Sequence, residues 1–412
     1  AQAVARVMEQ GGVLVAEAAT GVGKTFAYLV PALLSGERVL LSTATKALQD
    51  QLFGRDLPRL AQALGVPVRT ALLKGRGSYL CLHRLELAGQ AIDAGMPHLR
   101  RTLSNVERWA KATRTGDLAE VPALDERSPV VPLVTSTREN CLGADCPQFK
   151  ACHVNGARRE AMAADVVVIN HHLFFADLAI RESGMAELLP SVRVVVFDEA
   201  HQLNETGIQF LGQQLGTGQL LDLARDVLAV GLKHARGQAD WNALAGELEG
   251  AARDLRLAGG AARGQARLRW SDAVPDGLDE SAWHAALQRV VSALACAMDV
   301  LAAVDEQSPD LRRLHERLAL LAERAGHFQQ PCDSALVRWV DVGGSALRLR
   351  ESPLDIADTV RARLLGAPPQ DPAAPEAGGP PPERPRAWVF VSATLGDDKR
   401  LSWFTEPCGL QE

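Results

Sequence analysis

The sequence predicts an α/β fold with a parallel sheet, and three observations support this. The sequence contains several short apolar runs, and after each of the first two the apolar residues recur at the spacing of a helix. A loop of small residues lies between the first run and its helix. The runs themselves suit strands buried on both faces, and they lie at 13–16, 38–41, 164–169, 192–197 and 387–391. Such alternation gives parallel strands with ligands at their carboxyl ends. Before them, residues 1–10 are predicted to form a helix that buries Val4 with Met8 or Val7.

The small-residue loop predicts a nucleotide site. Gly21 and Gly23 let backbone N–H groups point at a phosphate, and the following helix directs its positive end at the same place. Lys24 can reach the β and γ phosphates, and the Thr25 hydroxyl can ligate Mg²⁺. The strict motif has glycine where this chain has Ala18, but the flanking strand and helix disfavour a chance tight turn. The predicted nucleotide-binding residues are Ala18, Ala19, Thr20, Gly21, Val22, Gly23, Lys24 and Thr25.

Polar residues follow three later strands. At the end of the second, the hydroxyls of 42–45 could hold a phosphate backbone, although an N-cap at Ser42 or Thr43 explains them nearly as well. His171 and His172 either line a site or form a neutral structural pair. Asp198 and Glu199 follow the run at 192–197, which has five apolar residues, a position that an exposed acidic loop does not explain. There Asp198 would hold Mg²⁺ through water, and Glu199 would orient and deprotonate the attacking water.

Length and composition limit the class of protein. The 412 residues allow two to four domains. Without an apolar run near 18 residues or the pattern of a signal peptide, we expect a soluble cytoplasmic protein that does not cross a membrane. The formal charge of −6 means that any surface for nucleic acid must be local. The segment 74–114 has eight Lys or Arg against three Asp or Glu, which on charge alone suits a solvated helical face.

The cysteines in and after this segment favour a functional role for it over a solvated helical face. Cys81 stands alone, and Cys141, Cys146 and Cys152 form a C-x4-C-x5-C run. Four thiolates could bind zinc or an iron–sulfur cluster; the wide, uneven spacing favours the cluster over paired C-x2-C knuckles. His153 is then a bystander. Packing is the predicted use of Cys296, Cys332 and Cys408.

Several motifs together resemble one helicase family. They are EAATGVGKT, STATKALQDQL, the four cysteines, the Asp-Glu-Ala-His sequence ending at His201, and VSATL at 391–395. The set resembles the superfamily 2 iron–sulfur helicases, which include the xeroderma pigmentosum group D (XPD) and damage-inducible G (DinG) helicases. The stretches ALLKGRGSYLCLHRLE and PLVTSTRENCLGADCPQFKAC are most similar to its bacterial YoaA branch.

The resemblance implies residue roles. It implies that Lys24 and Thr25 bind ATP phosphates and Mg²⁺, that Asp198 and Glu199 serve Mg²⁺ and water, and that His201 lies at the nucleotide site. It also implies that Ser392 and Thr394 couple ATP to DNA. The cluster implied is a [4Fe–4S] cluster, and its ligands are Cys81, Cys141, Cys146 and Cys152.

It also implies a cellular role. The enzyme would track single-stranded DNA 5′ to 3′, act on tailed or forked DNA in repair or replication, and have the polymerase III chi subunit as a possible partner.

The same resemblance divides the chain into domains. A RecA-like motor domain would hold two insertions, an iron–sulfur domain and a helical arch that enclose single-stranded DNA. Residues 207–366 are predicted to be nearly all helix, where Trp241, Trp270, Trp283 and Trp339 stack bases or, more often, pack between helices. The divisions are motor 1–73, 158–206 and 387–412, iron–sulfur domain 74–157, arch 207–366 and a Pro-rich mobile linker 367–386.

Only about seventeen residues follow Leu395, so we expect the family's second motor domain, with its arginine finger, to be absent from this chain. We therefore expect an amino-terminal helicase portion that binds single-stranded DNA, hydrolyses ATP slowly and cannot unwind DNA alone. The alternative is a shortened DNA-binding or regulatory module without productive turnover.

Overall fold

The computed structural model describes residues 1–91, 97–182, 189–260, 265–366 and 385–411. The chain forms two compact units, each made of separate segments. Unit 1 comprises Ala1–Gly75, Val154–Leu211 and Asp355–Glu412, and unit 2 comprises Arg76–His153 and Gly212–Leu354. The division into six segments predicted above remains a prediction, and its linker at 367–386 lies almost wholly outside the described residues.

The described strands are β1 (Gly12–Glu17), β2 (Val39–Thr43), β3 (Thr70–Leu72), β4 (Val166–Asn170), β5 (Val194–Asp198), β6 (Gln213–Gly216), β7 (Ala266–Trp270), β8 (Leu336–Val342), β9 (Leu347–Pro353) and β10 (Ala387–Ser392). The described α-helices are α1 (Gln2–Gln10), α2 (Lys24–Leu34), α3 (Lys46–Gln51), α4 (Leu57–Leu64), α5 (Leu82–Ala91), α6 (Pro97–Ala110), α7 (Val131–Val134), α8 (His153–Ala163), α9 (His171–Glu182), α10 (Leu203–Leu211), α11 (Thr217–His234), α12 (Trp241–Ala258), α13 (Glu280–Ala302), α14 (Pro309–Gln329), α15 (Ala357–Val360) and α16 (Ser402–Thr405).

Unit 1 is built on a six-stranded sheet in the order β1-β10-β5-β2-β4-β3. Every pairing in it is parallel, so the predicted parallel α/β fold is confirmed. The five strands predicted from apolar runs are present, and β3 is a sixth that was not predicted. Because all the strands run the same way, Glu17, Ser392, Asp198, Thr43 and Asn170 end them at one edge.

Both faces of this sheet are covered. On β2, Val39 and Leu41 face one side and Leu40 faces the other, since successive side chains alternate. The first face packs against α1 and α2, through the predicted Val4 and Met8 among others. Phe174 and Phe175 of α9, and residues of α10, cover the second. Burial on both faces explains why the strands are continuous apolar runs.

Unit 2 corrects the prediction that residues 207–366 are nearly all helix. Helices α11, α12, α13 and α14 do form, but an antiparallel sheet in the order β6-β9-β8-β7 accompanies them. The helices and the inner face of this sheet share one apolar core. Trp241, Trp270 and Trp283 are buried there, so packing explains three of the four tryptophans, whereas Trp339 is only half-buried.

Helix α13 is long and apolar enough to cross a membrane by length and composition alone, although no apolar run near 18 residues was noted in the sequence. Core helices of soluble proteins pass the same test. In α13 the residues Trp283, Leu287 and Leu294 lie within the core of unit 2. The helix is therefore explained by packing, and no membrane protein is indicated.

Candidate nucleotide site and cysteine cluster

The predicted phosphate loop connects β1 to α2. Gly21 and Gly23 have φ angles of 80° and 88°, which glycine adopts without the strain that a Cβ would bring. Gly23 is the N-cap of α2 and supplies no side-chain oxygen to the first turn. The N–H groups that open α2 are therefore free to bind an anion, and they carry the positive end of the helix dipole.

Lys24 follows the loop at the first position of α2. Its Nζ atom is buried and has no hydrogen-bond partner among the described residues. A buried ammonium without hydrogen bonds is costly. Its position at the open end of α2 fits the predicted role of Lys24 at a phosphate.

Asp198 ends β5 and lies against α2. The Tyr28 hydroxyl donates a hydrogen bond of 3.0 Å to Asp198 Oδ2. Burial raises the pKa of Asp198 above its ordinary value and the Glu199 carboxylate raises it further, while the Tyr28 hydrogen bond and the charge of Lys24 lower it. Burial also raises the pKa of Tyr28, which therefore stays a hydroxyl donor at neutral pH. The Thr25 side chain hydrogen-bonds the same hydroxyl, so one helix face joins the loop to the carboxylate.

The residues after Asp198 reach the neighbouring strand β10. Glu199 adopts a left-handed conformation, with φ 56°, that is rare for a residue with a Cβ. His201 Nδ1 lies 2.8 Å from Ser392 Oγ and 3.4 Å from Glu199 Oε2. Ser392 Oγ also donates to Glu199 Oε2 at 3.4 Å. Three predicted site residues thus form one hydrogen-bonded group.

The end of β10 is fixed to the end of β1. The Ala18 N–H donates to the Ser392 carbonyl at 3.0 Å. Glu17 Oε2 accepts from the N–H groups of Leu395 and Gly396, at 2.6 and 3.2 Å. The phosphate loop and the 391–395 segment are therefore held together by backbone contacts. Thr394 lies in this segment and is exposed, as is Val22 in the loop.

The 42–45 segment differs from its prediction. Thr45, not Ser42 or Thr43, caps α3 by accepting from the Leu48 N–H at 3.3 Å. Ser42 and Thr43 are fully buried in β2 and cannot contact DNA. Ser42 Oγ instead lies 2.7 Å from His171 Nδ1, and burial lowers the pKa of His171 to about 4. A neutral His171 that is hydrogen-bonded to Ser42 fits the predicted alternative of a structural histidine better than that of a residue lining a site.

The four clustered cysteines lie in one region of unit 2 and are all free thiols. Burial raises the pKa of Cys81 to about 11, and Cys141, Cys146 and Cys152 each raise it further by their charge. The pKa of Cys146 is likewise raised by burial and then by Cys141 and Cys152. Arg76 Nη1 donates to Cys141 Sγ at 2.9 Å. Cys141, Cys146 and Cys152 thus all lie close enough to the distant Cys81 to affect its pKa.

Within the described ranges, no group of three or more His, Cys, Asp or Glu side chains is placed to hold a single metal ion. A tetrahedral zinc site would require sulfurs only about 3.8 Å apart, given Zn–S bonds of about 2.3 Å. Burial lowers the pKa of His153. Of the other cysteines, Cys408 is buried, Cys296 is exposed and Cys332 lies near Glu351.

Part of the basic segment 74–114 serves internal ion pairs. Lys74 pairs with Asp50 at 2.9 Å. Arg84, three residues after Cys81, lies 2.7 Å from Asp226 of α11, whose other oxygen pairs with an arginine of α14. The arginines and lysine of 100–114 are exposed and remain available as a charged surface.

Sequence reasoning missed Tyr28 and Glu17. Tyr28 is four residues after Lys24, so the helical spacing predicts that both lie on the same face of α2. Its partner Asp198 is 170 residues away in the chain, so the hydrogen bond between them could not be predicted from local spacing. Glu17 gave no signal, because a carboxylate at a strand end has many uses.

The DEAD/DEAH box helicase family matches residues 1–98 of the chain. The ATP-dependent DNA helicase YoaA of Haemophilus influenzae is 37% identical over 411 residues, covering 100% of this chain and 61% of the relative. YoaA of Escherichia coli is 38% identical over 415 residues, with the same two shares. The ATP-dependent helicase DinG of Mycobacterium tuberculosis is 38% identical over 250 residues, which are 55% of this chain and 37% of that protein.

Residues 1–98 therefore match a DEAD/DEAH box helicase domain. The chain is similar to the YoaA helicases over its whole length and to the DinG helicase over 55% of it, as the sequence motifs indicated. It spans 61% of the length of the two YoaA relatives.

Replacing Tyr28 with phenylalanine is expected to move the acidic limb of the ATPase pH profile to higher pH. The lost hydrogen bond stabilises the Asp198 carboxylate, so its removal raises the pKa further and protonation begins at a higher pH. One hydrogen bond to a charged group corresponds to a shift of about one pH unit. The profile is measured on the full-length protein that contains this chain.

Tyr79→Phe is the matched control, because it removes the chain's other tyrosine hydroxyl, in unit 2. An unshifted profile for Tyr28→Phe would show that the hydroxyl does not set the ionisation of Asp198.

Proposed function

We propose that this chain is the nucleotide-binding portion of an ATP-dependent DNA helicase that moves 5′ to 3′ in DNA repair or replication. The observation that carries the proposal is the buried Lys24 ammonium at the open N-terminus of α2, which has no hydrogen-bond partner in the described part of the chain. A β or γ phosphate supplies the missing counter-charge. The names of the YoaA and DinG relatives support ATP and DNA as the ligands.

The residues at the sheet edge take separate roles in hydrolysis. Thr25 and Asp198 offer the oxygen ligands that Mg²⁺ prefers, and bound Mg²⁺ would neutralise phosphate charge. Glu199 accepts a proton from the attacking water. The Ser392 hydroxyl donates to Glu199, and its oxygen lies 2.8 Å from His201 Nδ1, so these contacts couple the carboxylate to the 391–395 segment. A change at the γ phosphate would reach β10 through these contacts, which suits a link between ATP state and DNA.

We propose that Cys81, Cys141, Cys146 and Cys152 hold a [4Fe–4S] cluster. The wide, uneven spacing of the four cysteines suits a cluster better than paired C-x2-C knuckles, and Cys141, Cys146 and Cys152 all act on the pKa of Cys81. Arg76, which donates to Cys141, would stabilise the ligand as a thiolate. The iron–sulfur domain at 74–157 and the arch at 207–366, now with its sheet, remain part of this proposal.

Strand displacement by the full-length protein tests the helicase proposal. With ATP, a duplex with a 5′ single-stranded tail should be unwound, and one with a 3′ tail should not. Unwinding from 3′ tails would overturn the polarity. Absence of DNA-stimulated ATP hydrolysis would overturn the assignment as a helicase.

A second candidate is a DNA-binding or regulatory module without productive turnover. The chain spans 61% of the length of its YoaA relatives, so the activity of those whole proteins is not carried over to it directly. In two-lobed motors an arginine from the second lobe stabilises the γ phosphate and contributes about 10³–10⁵ in rate in related P-loop enzymes. ATP-dependent unwinding by residues 1–412 alone would exclude this candidate. The chi-subunit partner and the cytoplasmic location implied by the resemblance belong to the full-length proposal.

A further inference from the structure

The residues on the outer face of the four-stranded sheet in unit 2 are not part of the apolar core of that unit. Along β8 and β9 alternate residues face inward, and Val340, Val342, Leu347 and Leu349 enter the core of the unit. The residues between them must point outward, because successive side chains of a strand alternate. The sheet therefore has one apolar face and one that is open to solvent.

The pairing registers place the outward residues in two rows. One row runs from Arg350 through Trp339 to Arg269, and the other from Arg348 through Asp341 to Arg267. We call these six residues the outer sheet face. Strands lie about 4.8 Å apart, so each row of three spans about 10 Å. Four guanidinium groups thus surround one indole and one carboxylate, in a chain whose net charge is −6.

The positive charge on this face is only partly neutralised. Asp341 pairs with Arg267 and Arg350, at 2.9 Å in each case. Arg269 and Arg348 are exposed, and neither has an ion-pair partner among the residues that the structure describes. The face therefore offers two free cations beside a pair of arginines that Asp341 holds in place.

Trp339 gives the face an aromatic surface. The Arg267 guanidinium lies 5.4 Å from the centre of the Trp339 ring, and Trp339 Nε1 donates to Asp341 at 3.4 Å. The ring is therefore held in one orientation. Both an indole and a guanidinium plane can stack a nucleobase. A cleft of about 580 Å³, lined in part by Arg267, Asp341 and Arg348, opens at one end of the face.

We propose that the outer sheet face binds single-stranded nucleic acid, with phosphates on Arg269 and Arg348 and a base stacked at Trp339. Arginines around an aromatic residue on an open antiparallel sheet provide both contacts that single strands require, charge for the backbone and a flat surface for bases. A duplex keeps its bases stacked inside and cannot use the indole. This inference rests on the proposed helicase function and assigns a contact for its single strand to named residues outside the nucleotide site.

Binding of a fluorescent oligothymidine, measured without nucleotide over a range of salt concentrations, tests the face. The variant with Arg269→Gln and Arg348→Gln should bind about tenfold more weakly, and its salt slope should be smaller by about 1.4, at about 0.7 per phosphate released from single strands. Trp339→Leu should weaken binding about tenfold with an unchanged slope, because stacking releases no counter-ions.

The matched control is the variant with Arg236→Gln and Arg253→Gln, which removes two exposed arginines of the same unit that lie outside the sheet. It should leave affinity and slope unchanged. Equal affinity of all variants, or failure of the unaltered chain to bind, would overturn the proposal. So would an equal loss of affinity for blunt duplex, which would define a general anion surface. Equal affinity of all variants, with the unaltered chain still binding, would overturn only this face, whereas failure of the unaltered chain to bind would also count against the helicase proposal.

Discussion

Replacement of Lys24 with alanine is expected to lower ATP hydrolysis by the full-length protein by at least about 10²–10³-fold, the usual cost of removing one donor to a developing charge. The Lys24 Nζ atom is buried and has no hydrogen-bond partner among the described residues, so in the proposed site its donors are available to the phosphate. The fold should survive, because the ammonium makes no described contact that the variant would lose.

The measurements are steady-state hydrolysis and the binding of a fluorescent ATP analogue to this chain, both of which should fall. Arg59→Ala is the control, since it removes an exposed positive charge from helix α4 of the same unit. Undiminished turnover in Lys24→Ala, with circular dichroism showing an intact fold, would remove the nucleotide site from this loop.

The parts of this site that could be predicted are those contained in one short segment. The phosphate loop combines strand, glycines, lysine and helix within 13–34, so local spacing is enough to identify it. The strands of unit 1 were readable because burial on both faces makes each a continuous apolar run. β3 was missed because it has only three residues.

The parts that could not be predicted depend on distant pairs. Tyr28 meets Asp198 across 170 residues and His201 meets Ser392 across 191, and no local pattern encodes such contacts. The sheet of unit 2 was hidden for another reason. In β8 the inward position between two apolar ones is held by Arg338, which is buried against Glu351. This inward ion pair breaks the alternation of apolar and polar residues by which a strand is recognised.

The contacts of the buried Arg338 explain how the inner face of this sheet accommodates a charged side chain. Its Nε lies 2.5 Å from Glu351 Oε2, its guanidinium is over the rings of Trp270 and Phe328, and His327 holds the second oxygen of Glu351 at 2.6 Å. A buried pair is stable only when its remaining donors and acceptors are satisfied. A hydrogen-bonded cluster of Arg338, Glu351 and His327 thus joins the sheet to helix α14 inside an apolar core. The helical periodicity of the region does not predict this cluster.

Anaerobically purified protein is expected to be brown and to contain about four iron atoms per chain, because four thiolates are the usual ligand set of a [4Fe–4S] cluster. Cys146→Ser should lose most of the colour and iron, since it removes one of four sulfurs that act on each other electrostatically. Cys296→Ser is the matched control, because Cys296 is exposed on α13 and outside the cluster. Iron analysis and visible absorption make the comparison. One zinc per chain in a colourless protein, or full iron in Cys146→Ser, would contradict the assignment, whereas loss confined to Cys146→Ser would place the cluster on these four cysteines.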